Sequence, residues 1–353
     1  MSKRFVEYDL MRILACFLVI TIHSSSIFEQ NSLYSTASSE LIGIHLWAVL
    51  ARWAVPAFVM LSGMMVISTA DSISLKKLIV YRVFRMIIVY FSWSCVYSFY
   101  NVYVLGRVYA STKLITFLDG CFSGELHMWY LLMLAGMYII SPILAALIKC
   151  LNKEWTIYWL AGMFVFSSLI PLLIKLDIIY FSVILNSYYT FMDLQFLGGW
   201  TLYFVLGYYL QKQELTRRET NIIIYCSIIG FIFTALGTVI YPMFYGETMG
   251  ILPYEYPNIM FYSMGILLLF KERAGNLQWI KKYSKQIVSI SKLTFGIYLI
   301  HVLLLEVFYS FGFNIQICHP VLSIPLVSLG VFVCSGAIIW LFRKIPIVGT
   351  YLA

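Results

Sequence analysis

The sequence predicts an all-α, polytopic integral membrane helix bundle of about ten transmembrane helices, with both termini in the cytoplasm. Three observations predict it. Of the 353 residues, 61% are hydrophobic and only 11% charged, against roughly a quarter charged in an ordinary soluble domain. Mean hydropathy is +0.87 over the whole chain, which leaves no stretch polar enough for a separate water-exposed domain, so residues 1–353 read as one membrane domain. The third observation is where the basic residues fall.

A span needs about 20 mainly apolar residues, because the hydrocarbon core is about 30 Å thick and each helical residue rises about 1.5 Å. Ten windows qualify, at 10–28, 44–67, 86–105, 129–148, 155–174, 197–211, 222–244, 259–270, 287–308 and 321–342, the sixth and eighth being short. With the N-terminus inside, the inner segments collect 20 of the 24 Lys and Arg residues, and only Arg52, Arg107, Lys113 and Lys175 fall outside. This positive-inside bias places both termini in the cytoplasm. The formal charge of +8 therefore reports topology, and no nucleic-acid partner is expected. Lys3, Arg4 and the apolar run 13–22 followed by Ser24, Ser25 and Ser26 have the outline of a cleaved signal peptide. Asp9 and Arg12 interrupt that outline and nine more windows follow, so it reads as a first span.

The loops 106–128 and 175–196 are expected to supply most of the outer surface. The seven cysteines are scattered, with no CxxC or Cys/His spacing suited to zinc, and no metal is expected. Cys121 and Cys318 both fall on the outer side, where a disulfide is chemically allowed, but the sequence does not pair them.

Ionisable groups at membrane depth are costly and by default functional hypotheses. In the first span, Arg12 and His23 are eleven residues apart, which is three helical turns plus roughly 20°, so they share one face with an axial separation of about 16 Å. Arg12 sits at the inner interface, where Asp9 is placed to pair with it, and His23 in the outer half, where a neutral imidazole is a ready proton acceptor. Taken alone, Arg12 reads better as a snorkelling interfacial anchor, whereas for His23 a helix–helix hydrogen bond is the weaker alternative. In the second span, Pro56 frees the carbonyl of Arg52, giving either a kinked cavity wall or a packing helix with a small-residue seam at Ser62 and Gly63. Arg82 and Arg85, three apart beside Lys76 and Lys77, share a face suited to phosphates, though a bare charge cluster of this kind more often reports topology. Glu125 precedes an aromatic belt of His127, Trp129 and Tyr130, and Thr294, Tyr298 and His301 make a polar stripe in the ninth span. The layout puts anion-binding cations inside and proton-transfer groups outside.

At these residues the chain resembles the membrane acyltransferase-3 family, multi-span enzymes that O-acylate bacterial surface glycans. The segment from Asp9 and Arg12 through Ala15 to His23 is similar to that family's D-x-x-R-x-x-A with R-x10-H. Arg52, Val55, Pro56, Phe58, Ser62 and Gly63 resemble R-x-x-V-P-x-F-x-x-x-S-G. Arg82 and Arg85 match its paired arginines, His127-Met128-Trp129-Tyr130-Leu131 its H-x-W-F-L, Tyr203 to Tyr208 its Y-F-x-x-G, and Ser291 to His301 its S-x-x-S-F-G-I-Y-L-x-H. Ile13 and Val59 depart from common residues at their positions without removing a chemical group.

The resemblance implies a multi-pass enzyme of the bacterial cytoplasmic membrane, with acyl-CoA, most often acetyl-CoA, as donor. The implied acceptor is a hydroxyl of an extracytoplasmic glycan or lipid-linked sugar. His23, Arg12, Arg52, His301 and Tyr298 become candidate catalytic residues. Arg12, Arg82, Arg85 and Ser62 become candidate donor-binding residues, and His127, Trp129 and Glu125 candidate acceptor-binding residues. No appended hydrolase-like domain fits after the tenth window. A secondary transporter, the rival from another class, shares the many spans, kinks and midplane polar groups but would carry an inverted repeat, which the chain lacks.

Overall fold

A computed structural model describes residues 5–29, 38–70, 73–177, 182–194 and 198–345. Lys3, Arg4, Leu197, part of the 175–196 loop and the residues after Ile345 lie outside the described residues. All regular structure among the described residues is helical. α1 (Val6–Glu29) is followed by α2 (Ser39–Ala51), which breaks at Arg52 and Trp53 and resumes as α3 (Ala54–Ile67). α4 (Leu75–Leu78) enters α5 (Phe84–Phe99) through a π-turn, Ile79–Val83. Then come α6 (Lys113–Ser123), the 3-10 turn Leu126–Met128, α7 (Trp129–Cys150), α8 (Lys153–Phe164), α9 (Ile170–Leu176) and α10 (Ser182–Met192). α11 (Trp200–Lys212), α12 (Arg217–Ala235), α13 (Tyr241–Tyr245), α14 (Pro257–Glu272), α15 (Gln278–Lys282), α16 (Ser284–Ser291), α17 (Thr294–Ser310) and α18 (Pro320–Phe342) complete the chain.

The helices begin where the sequence supplies caps. Ser38, Thr112 and Asn152 accept from the backbone N–H groups of Leu41, Ile115 and Trp155 at 3.2, 3.2 and 2.9 Å, and Thr216 with Glu219 forms a capping box.

Among the described residues, six continuous helical stretches are long and apolar enough to cross a membrane, and α16 with α17, bent by 56° at Lys292 and Leu293, makes a seventh if the pair is one span. The molecule is thus a multi-pass helical membrane protein. The windows at 10–28, 197–211 and 259–270 became α1, α11 and α14. α11 has 13 residues and α14 has 16, which at about 1.5 Å per residue reach about 20 and 24 Å, short of a hydrocarbon core of about 30 Å. Both are walled in, α11 against α3 and α14 against α12.

The expected loop 106–128 is largely helical, which corrects the sequence reading. Leu114, Phe117, Leu118, Cys121 and Phe122 recur at helical spacing, and α6 lies antiparallel on α5, where the Ser98 hydroxyl donates to the Phe117 carbonyl at 2.7 Å and the Tyr90 hydroxyl to the Ser123 carbonyl at 2.7 Å. Part of the 175–196 loop is likewise helical, as α10. The seven cysteines are free; Cys318 is exposed, and Cys121 is buried with its thiol against Cys95, so Cys121 and Cys318 are not paired.

α1 is the axle of the bundle, touching α2, α3, α16, α17 and α18. Against it, α3 and α11 cross with backbones in contact. A Cβ at Gly63 would overlap the Phe204 carbonyl, and one at Gly207 would overlap the Met60 carbonyl. Close helix crossing through reciprocal small residues is the membrane solution to packing without a hydrophobic drive, so Gly63 belongs to a seam while its neighbour Ser62 faces the other way.

Candidate active site

Ser62 faces a cavity of about 630 Å³ that extends along α1. Arg12, Val19, Ile22 and His23 all line it, as a stripe of eleven-residue repeat on a straight helix requires. The stripe is turned toward an internal passage and not toward lipid. At one end stand Arg12, Arg85, Lys292 and Arg343, and at the other His23, His127, Trp129 and Tyr254. Phe58, Ser62, Tyr130, Tyr138, Phe295 and Tyr298 form much of the wall between.

At the cationic end, Asp9 is buried and accepts from the Ser291 hydroxyl at 2.7 Å and from Arg12 Nη1 at 3.4 Å. Arg12 Nη1 also reaches the Ser291 hydroxyl at 3.5 Å, so α1 and α16 orient this guanidinium together. Arg85 lines the cavity beside the Phe295 ring, 5.9 Å from its centroid, and its buried Nε has no hydrogen-bond partner among the described residues. Arg82 does not line the cavity; its Nη2 donates to the Thr69 hydroxyl at 2.8 Å. Arg82 falls within the π-turn Ile79–Val83 and Arg85 just after it, and both cations act electrostatically on the cavity residue Tyr138.

The other end is built from three imidazoles on three distant stretches of chain. Ring centroids are 5.1 Å apart for His23 and His301, 5.1 Å for His127 and His301, and 6.0 Å for His23 and His127. His23 and His127 line the cavity, and His301, fully buried, stands behind them. His301 Nδ1 lies 2.6 Å from the Tyr298 carbonyl; a carbonyl only accepts, so Nδ1 carries the proton and Nε2 keeps a lone pair in the neutral ring. That Nε2 is buried with no hydrogen-bond partner among the described residues, as is Nε2 of His127. Among the described residues no group of three His, Cys, Asp or Glu is arranged to hold a metal.

His127 owes its position to the α6 hairpin. Gly124 ends α6 at φ 66°, ψ 178°, a conformation essentially restricted to glycine, and a Cβ there would lie 2.7 Å from the Tyr90 hydroxyl. The chain then turns through Leu126–Met128, carrying His127 inward.

The remaining candidates are distributed unevenly. Tyr298 lines the cavity, but its single O–H donates to the His127 carbonyl, so it can accept from a ligand without donating to it. Tyr130, whose hydroxyl is 3.4 Å from that of Ser62, supplies donors on the same wall. Trp129 lines the cavity and packs on Trp200 at 5.0 Å. Arg52 stands behind the wall: its Nε donates to the Leu252 carbonyl at 2.5 Å and its guanidinium covers the ring of Tyr254, 4.0 Å from the centroid. Glu125 accepts from Asn101 Nδ2 at 2.7 Å and faces a second, outer cavity of about 340 Å³. Sequence reasoning missed Lys292, Arg343, Tyr138 and Tyr254 as cavity residues; the two cations had been counted only as topology markers.

The sequence model of one family, described as an acyltransferase domain, matches residues 5–341. The chain belongs to the acyltransferase-3 family. Its acyltransferase domain takes in nearly the whole polypeptide, including every residue of the cavity's cationic end except Arg343 and every residue of its imidazole end. No curated protein and no solved structure matches the chain.

Proposed function

We propose that this acyltransferase moves an acyl group, acetyl in the simplest case, from cytoplasmic acyl-CoA to a hydroxyl of a glycan or lipid-linked sugar on the far side of a bacterial cytoplasmic membrane. The observation that carries this reading is the polarity of one cavity. Cations suited to phosphates gather at one end and proton acceptors at the other, separated along α1 by about 16 Å. Arg12 and Arg85 would hold the donor's phosphates, and the extended pantetheine arm would follow the aromatic wall toward His23.

In the transfer step, His23 removes the proton of the acceptor hydroxyl as its oxygen attacks the thioester carbonyl. The tetrahedral intermediate then collapses with loss of the C–S bond, and the proton passes from His23 to the departing thiolate. The ester and free thiol account for all atoms. His301, whose ring centroid is 5.1 Å from that of His23, would stabilise the imidazolium, and Tyr130 with Ser62 would donate to the developing oxyanion. General-base catalysis contributes about 10² to 10⁴ in rate.

Membranes containing the protein, supplied with acetyl-CoA labelled in the acetyl group, should incorporate label covalently into surface glycan. His23→Ala and Arg12→Ala, shown to be folded by size-exclusion chromatography in detergent, should lose that incorporation. Wild-type rates in both variants would sink the assignment, and a carrier would leave its substrate chemically unchanged.

A further inference from the structure

Two of the four cations lining the cavity's inner end, Lys292 and Arg343, have no role in the transfer described above. They stand at the rim, both exposed, whereas Arg12 and Arg85 are half-buried. Their placement follows from the fold. The helix break between α16 and α17 leaves the Lys292 carbonyl without a regular helical partner, and Arg343, just past the last turn of α18, donates to it from Nη1 at 3.1 Å. That hydrogen bond fixes the Arg343 guanidinium beside the backbone of Lys292, and both residues line the same edge of the cavity.

No carboxylate lines that cavity among the described residues. The nearest one to be named, Asp9, is engaged with Arg12 and Ser291. The charge is thus arranged in two tiers, an inner pair and a rim pair, each two cations strong and uncompensated at the rim. A ligand matching both tiers carries two separate phosphate groups, one entering and one staying outside.

We propose that Lys292 and Arg343 read a terminal phosphomonoester on the donor, the 3′-phosphate of a coenzyme A thioester, and so distinguish it from donors that lack this group. The proposal rests on the donor reading above. A phosphomonoester carries roughly −1.5 to −2 charge at neutral pH with three acceptor oxygens, which suits an ammonium beside a guanidinium. The inner pair is left for the diphosphate. A phospholipid headgroup offers related phosphate chemistry at the same depth, so lipid is the competing source.

The test uses full-length protein in phosphatidylcholine nanodiscs, with coenzyme A and 3′-dephospho-coenzyme A as probes in titration calorimetry. Wild type should bind coenzyme A about tenfold more tightly, equivalent to about 1.4 kcal/mol. The Lys292→Gln, Arg343→Gln double variant should bind both probes alike, at the wild-type affinity for the dephospho form. Equal wild-type affinity for the two probes overturns this inference alone, as does a preference that survives in the double variant. Wild type binding neither probe overturns the donor reading itself. If Arg343→Gln fails to fold, Lys292→Gln and Arg343→Lys carry the comparison, Lys292→Gln with a reduced preference and Arg343→Lys with most of it kept. A preference that disappears when phosphatidylglycerol is added to the discs assigns the rim to lipid and overturns the proposal.

Discussion

His301 Nδ1 is 2.6 Å from the carbonyl of Tyr298, one helical turn before it, and this bond fixes the tautomer in which the buried Nε2 keeps its lone pair. His301 lies outside the cavity lining, so in the proposed transfer it would act through His23, as a positioning residue. His301→Ala should lower kcat by about 10²-fold, the lower range for acid–base assistance, with the KM for acyl-CoA nearly unchanged. His301→Asn restores the bond to Tyr298 but not Nε2, so it should stay as impaired as the alanine variant. Recovery in the asparagine variant would mean that ring placement, and not the lone pair, is what matters. Steady-state kinetics in detergent separates the cases.

Asp9 orients Arg12 through a 3.4 Å contact and shares the Ser291 hydroxyl with it. Asp9→Ala leaves a buried hydroxyl donor and a guanidinium without their anion. It should cost about 1–3 kcal/mol, toward the lower value because the Arg12 side chain is 24% exposed. The KM for acyl-CoA should rise while kcat changes less. A thermal melt with substrate titration checks both expectations.

Gly124→Ala places a Cβ at φ 66° and against the Tyr90 hydroxyl. The backbone term alone is about 1–3 kcal/mol. Activity should fall further than stability, because the same turn carries His127. Adding Tyr90→Phe should not rescue the melting temperature, because the ring carbon that bears the hydroxyl remains 2.9 Å from the new Cβ and the bond to the Ser123 carbonyl is lost.

Gly63→Ala and Gly207→Ala each push a side chain into a carbonyl of the facing helix. Overpacking of this kind costs about 1–3 kcal/mol. Because no flexible side chain can yield, both variants should show reduced monodisperse protein by fluorescence-detected size exclusion. Ser62→Ala, which faces the cavity, should fold normally.

Much of this geometry was legible in the residues. Arg12 and His23 share a face because nothing interrupts α1 between them, so ideal helical arithmetic applies. Arg82, three residues before Arg85, is not among the residues that line the cavity and donates to the Thr69 hydroxyl instead, a partner that the local spacing does not reveal. α6 escaped notice because Asp119 and Gly120 break its hydrophobicity, leaving an amphipathic pattern where an uninterrupted one was sought. Arg52 was expected to meet the reacting centre; the chain 200 residues later supplies the Leu252 carbonyl and Tyr254 ring that hold it behind the wall, a long-range pairing that no local pattern encodes. Lys292 and Arg343 were visible as charges, but which inner charges turn inward depends on the bend at Lys292 and on where α18 ends.

The three clustered imidazoles come from positions 23, 127 and 301. During synthesis the first two reach the bilayer long before the third, so a partly translated chain holds no complete centre. A chain truncated ahead of His301 lacks one of the three imidazoles and should therefore be inert.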